Sequence, residues 1–188
     1  MLYVPPIRDY KPFYIQVGTA QTATDIKDTY SVVVKTHDYP SYRKPKEPYK
    51  NNWLDENGDD EYTAEMYYEA FTFKAECVML ASGSTARADL KAGIRAFQEA
   101  LTGEFKVFDS WTGFGFQKVR LSQFPMPSDG NFDVFRTRMG STTTEYARVN
   151  FTVEFKVNDP VTEMIMENGA IVPAAPILPI DDDIVVVG

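Results

Sequence analysis

From Glu145 to Val157 the chain alternates without a break. Val149, Phe151, Val153, Phe155 and Val157 fall on one side of an extended strand, and Arg148, Asn150, Thr152, Glu154 and Lys156 on the other. A period of two marks a strand with one buried face and one wet face. Such a strand cannot stand alone. Its apolar face needs a second layer, so the chain must build a sheet with something packed against one side. Asn158-Asp159-Pro160 ends the strand with turn formers and a residue that cannot donate to a ladder.

Other segments supply partners for it. Tyr30 to Thr36 (YSVVVKT) is β-branched and reads as a strand. Phe71, Phe73, Ala75, Cys77 and Met79 alternate with Thr72, Lys74 and Glu76, a second half-buried strand that stops at Ser82-Gly83-Ser84. Shorter strands are expected at 105–108, 116–124 and 132–139, with a turn at 110–115 and a loop at 125–131. One helix is predicted over about 85–101, because Leu90, Ile94, Phe97 and Leu101 recur on one face. Ser84 or Thr85 suits its start, Asp89 its first turns and Gly103 its end. The expected fold is mainly β with one helix, an α+β antiparallel β-sandwich flanked by a single α-helix, with a long loop and extended terminal arms.

The predicted organisation is an N-terminal extended arm over 1–29, a β-sandwich domain over 30–159, and a C-terminal extended arm over 160–188. Residues 1–14 carry Pro5, Pro6 and Pro12 among aromatics and read as irregular. The long loop, 37–62, contains Pro40, Pro45 and Pro48, then basic residues, then an acidic cluster. Loops of this length are commonly functional or packed on a partner. The last segment, from Pro160 to Gly188, is rich in Ile, Val, Leu and Met but cut by Pro173, Pro176 and Pro179. Those prolines forbid a helix or a central strand, and the apolar content is too high for an ordinary disordered tail. Asn168-Gly169 inside it is a hairpin signal. The segment either folds back on its own body or docks on a neighbouring subunit.

Composition narrows the function. Nineteen basic against 27 acidic residues give a formal charge of −8, which opposes general nucleic-acid binding. The same acidity suits a conduit through which DNA slides, since it repels phosphate. A lone Cys77 excludes an intrachain disulfide. The first residues lack the basic and apolar regions of a secretory leader, and no apolar run reaches membrane-spanning length.

No pattern for chemistry stands out, and no catalytic, metal or cofactor residue is assigned. His37, the single histidine, neighbours Asp38 in the proline-rich loop, but triads are assembled from separate segments. It reads as a surface loop histidine. The run Asp55 to Glu61 has a glycine four residues in and lacks a closing glutamate at position twelve, so it reads as a solvated acidic loop rather than a calcium site. Asp181-Asp182-Asp183 more plausibly seeks basic residues on a neighbour than a metal. Gly83, Gly113 and Gly115 lack the strand–GxxxxGK–helix setting of a phosphate loop. Trp53 and Trp111 lie in or beside loops, where they can anchor an interface or stack on a sugar. Arg43, Lys44, Lys46 and Lys50 interleave with Tyr42 and Tyr49, and on an acidic chain read as a salt-bridging loop that meets an acidic patch on another copy.

The order of elements resembles the ring-forming proteins of long-tailed bacteriophages, the tail tube proteins and the related distal tail proteins. Phe71–Met79, the helix at 85–101, the strands at 105–108 and 116–124, and the strand 145–157 closing on Asn158-Asp159-Pro160 carry the resemblance, over about half the chain. It implies a virion structural protein of a phage or prophage tail, non-enzymatic, assembled in the host cytoplasm as a homo-oligomeric ring or tube. DNA would pass nearby without sequence-specific binding, and other virion tail proteins would be partners. The loop 37–62 and arms at 1–14 and 160–188 would then join subunits, with Trp53, Ile177, Leu178, Ile180, Val185 and Val186 expected at interfaces. The long arm leaves room for a tail terminator or neck connector. The competing readings are a carbohydrate-binding β-sandwich using Trp53 and Trp111, and an enzyme whose site the sequence does not display.

Overall fold

The structure, a computed structural model, describes residues 10–40, 43–47, 50–51, 60–61, 67–128, 131–139 and 142–175. The elements run β1 (Phe13–Val17), β2 (Thr24–Asp25), α1 (Ile26–Tyr30), β3 (Val32–His37), β4 (Lys50–Asn51), β5 (Asp60–Glu61) and β6 (Phe71–Ser82). They continue with α2 (Ala86–Ala100), β7 (Glu104–Asp109), β8 (Gly115–Gln123), β9 (Phe132–Met139), β10 (Thr142–Asp159), β11 (Met164–Glu167) and β12 (Ala170–Pro173). The fold is α+β and sandwich-like, mostly antiparallel sheet with one main helix.

β10 is the axis of the molecule. Its alternating residues Ala147, Val149, Phe151, Val153, Phe155 and Val157 are all buried, as the period of two requires. It pairs with β6 from Tyr146↔Ser82 to Val157↔Phe71, which sets Phe155 beside Phe73 and Val149 beside Met79. The main sheet follows the order β2-β1-β7-β8-β10-β6-β3, and β9 joins β10 beside β8. β10 is therefore forked. Residues 142–149 pair with β9 and residues 154–159 with β8, on the edge opposite β6.

Ring contacts show how this sheet becomes two layers. β1 and β10 are three steps apart in the sheet, about 14 Å if it were flat. Yet the Phe13 ring stacks 6.3 Å from Phe155. Phe105 of β7 and Phe73 of β6 approach the same ring at 5.9 and 5.2 Å. The sheet must curl so that β1 and β7 lie over β6 and β10. α2 closes the other end of this core with Leu90, Ile94 and Phe97. The Phe97 ring meets Tyr30, Phe124 and Phe151 at 5.5, 5.9 and 6.5 Å. Each such side chain contributes about 1.5–3 kcal/mol by leaving water. Thr85 occupies the position before α2 but makes no capping bond. Its hydroxyl donates to Asp89 instead.

Three features depart from the sequence expectation. β1 forms directly after Pro12, within the stretch expected to be an arm, because Phe13 and Ile15 bury on the inner face. Tyr30 ends a short helix rather than opening a strand. Asp25 caps that helix through the Lys27 N–H at 2.9 Å, and Ser31 ends it at φ 57°. Within 37–62, an isolated bridge joins Pro45 to Tyr68 and the short strands β4 and β5 pair.

Of the segment 160–188, residues 160–175 are described and pack on the body. β11 and β12 form a hairpin through Asn168-Gly169, whose φ values of 50° and 79° are those of a two-residue turn with both centres left-handed. Met164 and Ile171 are fully buried. The Ile171 N–H donates to the Gln16 side chain at 2.7 Å, and Lys106 Nζ donates to the Ile171 carbonyl at 2.9 Å.

Candidate functional site

An open groove of about 900 Å³ runs from the residues leading into β1, past β3, over β6 and β10. Its floor follows from strand alternation. On β6, Cys77, Met79 and Ala81 point into the core, so Val78 and Leu80 must point outward. Val33 lies beside Val78, and Leu80 beside Arg148, by register. Apolar residues thus occupy positions on the outer face where polar ones are usual, and together they line the groove.

Positive charge surrounds that floor. Arg148 and Lys35 line the groove, and Lys11 enters from the β1 side. Lys35 sits where the β3–β6 register slips between Val34 and Thr36. Arg148 reaches Asp133 at 2.8 Å, with both side chains about half exposed, a pairing worth little in water.

His37 and Asp109 close one end. His37 Nε2 lies 2.8 Å from Asp109 Oδ2, and both side chains are largely buried. The Asp109 carboxylate also accepts the Trp111 N–H and the Thr112 hydroxyl, each at 2.9 Å, so it shapes the β7–β8 turn. That turn holds Trp111 out at 71% exposure on the groove's rim. The His37 ring packs 4.2 Å from Tyr39. The Tyr39 hydroxyl is buried and makes no hydrogen bond of ordinary geometry among the described residues. Burial first, then the Asp109 charge, holds that phenol well above its usual pKa.

The histidine is therefore not a surface loop residue. It ends β3, and its partner is Asp109, far away in sequence, rather than Asp38. Asp38 accepts the Lys74 N–H. Cys77 lies in the core with its thiol pushed up by burial, the nearby Glu76 charge adding to the effect. Among the described residues no cluster of three or more His, Cys, Asp or Glu side chains comes together to hold a metal. No described helix is long and apolar enough to cross a membrane. Lys44 of the basic loop pairs with Glu69 of its own chain at 2.9 Å, and Arg43 donates to the Val161 carbonyl.

The residues expected at interfaces, Trp53, Ile177, Leu178, Ile180, Val185 and Val186, lie outside the described residues, as do Asp181-Asp182-Asp183 and most of the acidic run from Asp55. Within the described part, a different apolar surface stands out. β9 lies along β10 at the edge of the sheet, with Val134 and Phe135 opposite Ala147 and Tyr146, where β6 still pairs with β10, and only residues 136–139 and 142–145 run on past β6. Val134 and Phe135 on β9 are 49% and 43% exposed. Phe135 stacks on Tyr146 with ring centroids 5.5 Å apart. No local pattern singles out this edge in the sequence, because β9 alone does not reveal that it ends up on the border of the sheet.

A scan against family models finds no match to the chain, and a search of curated proteins finds none.

Proposed function

We propose that the protein is a non-enzymatic structural subunit of a phage or prophage tail, which assembles as a homo-oligomeric ring or tube around the DNA path. The observation that carries this reading is the edge strand β9, on which Val134 and Phe135 stay 49% and 43% exposed, one on each face of the sheet. β9 has β10 as its one strand partner among the described residues, and the aromatic and aliphatic side chains on such an edge gain stability when another surface covers them. In a ring each copy offers the same edge to the next, a head-to-tail contact that closes by rotation. The acidic charge of −8 suits a wall past which DNA slides, and the element order resembles the tail ring proteins. A tail terminator or neck connector assembles by the same logic at another position in the tail.

Light scattering and electron micrographs of the purified chain test this. The expected result is a species far above the 21.3 kDa of one chain, with closed rings or tubes in the images. A monomer that persists at high concentration overturns it. The exposed Trp111 beside the groove favours one other reading, a carbohydrate-binding module. Saturable quenching of tryptophan fluorescence by a glycan, lost in Trp111→Ala, would establish that reading instead.

A further inference from the structure

We propose that the groove over β3, β6 and β10 is the dock for residues 176–188 of a second copy of this chain. The inference rests on the assembly reading, which supplies the neighbouring copy. Three observations converge on this occupant.

The first is charge. The chain is acidic overall, yet Lys11, Lys35 and Arg148 outnumber the one lining carboxylate, Asp109, at this groove, where Asp109 is held by His37 and Arg148 also reaches Asp133. Lys11 and Lys35 make no ion pair among the described residues. A basic site on an acidic protein selects an acidic ligand. The second is the floor. Val33, Val78 and Leu80 require that the ligand also carry apolar side chains. The segment PILPIDDDIVVVG meets both demands, with Asp181, Asp182 and Asp183 set between Ile180 and Ile184.

The third is the edge. β3 is the last strand on its side of the sheet, so one row of its backbone N–H and C=O groups has no strand partner among the described residues. An extended segment laid along it gains main-chain hydrogen bonds, and its alternate side chains reach the floor. Pro176 and Pro179 suit a ligand that binds as an extended strand, since proline is tolerated in edge and extended backbone but not inside a helix. Thirteen extended residues reach about 43 Å, enough to leave one body at Ala175 and lie along another.

A charge exchange in the full-length chain tests this, with circular dichroism reporting the fold of every variant and light scattering its assembly. Lys35→Glu with Arg148→Glu reverses the groove, and Asp181→Lys with Asp182→Lys and Asp183→Lys reverses the segment. Each set alone is expected to raise the concentration needed for assembly by about tenfold or more. Mixing the two altered chains restores assembly, because each groove then meets a tail of opposite sign. Normal assembly of the groove variant overturns the dock and leaves the assembly reading standing. Loss of assembly that neither mixing nor placing both sets on one chain restores overturns residues 176–188 as the occupant. Rescue only when one chain carries both sets overturns exchange between copies. A parent chain that stays monomeric overturns the assembly reading and this inference together.

Discussion

Gly115 opens β8 where the C-terminal hairpin crosses it. A Cβ on Gly115 would collide with the backbone carbonyl and Cβ of Met164. The obstacle is main chain, so it cannot swing aside. Gly115→Ala is expected to lift β11 from β8 and to cost about 1–3 kcal/mol, read as a lower urea midpoint. Asp25 offers a test of opposite sign. Burial holds its carboxyl above the usual range, against the lowering bonds from the Tyr10 hydroxyl and the Lys27 N–H. The folded state therefore keeps the proton to higher pH than the unfolded chain does. Its contribution is full below the unfolded pKa and is lost as pH rises through the folded one. Asparagine caps a helix as well as aspartate and can accept both bonds without a charge. Asp25→Asn is expected to be more stable than the parent at pH 7, with the gain shrinking as the pH falls through the folded pKa and gone below about 4. Denaturation at both pH values reads this directly, and an equal gain at acid pH would refute it.

At the scale of elements, strong periods were legible and short ones were not. The alternation in β6 and β10 and the Leu90–Ile94–Phe97 face of α2 placed their residues in the core as expected. The Asn168-Gly169 signal marked its hairpin. β1 is not legible in the sequence because FYIQV is five residues behind a proline, and its place is set by pairing with β7. The groove was illegible for a related reason. Val78 and Leu80 read as one outward row, and nothing local reveals that Lys35 and Arg148 flank it. His37 found Asp109 only because the sheet curls. The β9 edge belongs to this scale too. Val134→Lys with Phe135→Lys removes the Phe135 ring from its stack on Tyr146 and gives up half-buried apolar area, so the monomer is expected to keep its circular dichroism and to lose about 1–2 kcal/mol of stability. Assembly should fail, as scored by light scattering. Intact assembly would remove this edge from the interface.

For the whole molecule, the decisive event is the curl that brings β1 and β7 over β6 and β10. It makes one continuous cluster from Phe13 to Val157. The later hairpin then adds a separate patch through Met164 and Ile171. The fork in β10 has a mechanical meaning. The same strand serves the body at one end and the two-stranded ribbon of 136–139 and 142–145 at the other, and between Tyr146 and Val157 it is zipped to β6. The ribbon thus has no hinge at its root. A pull along it loads many ladder bonds side by side instead of peeling them singly, so the ribbon acts as a rigid lever, and a push at its tip is felt in the core.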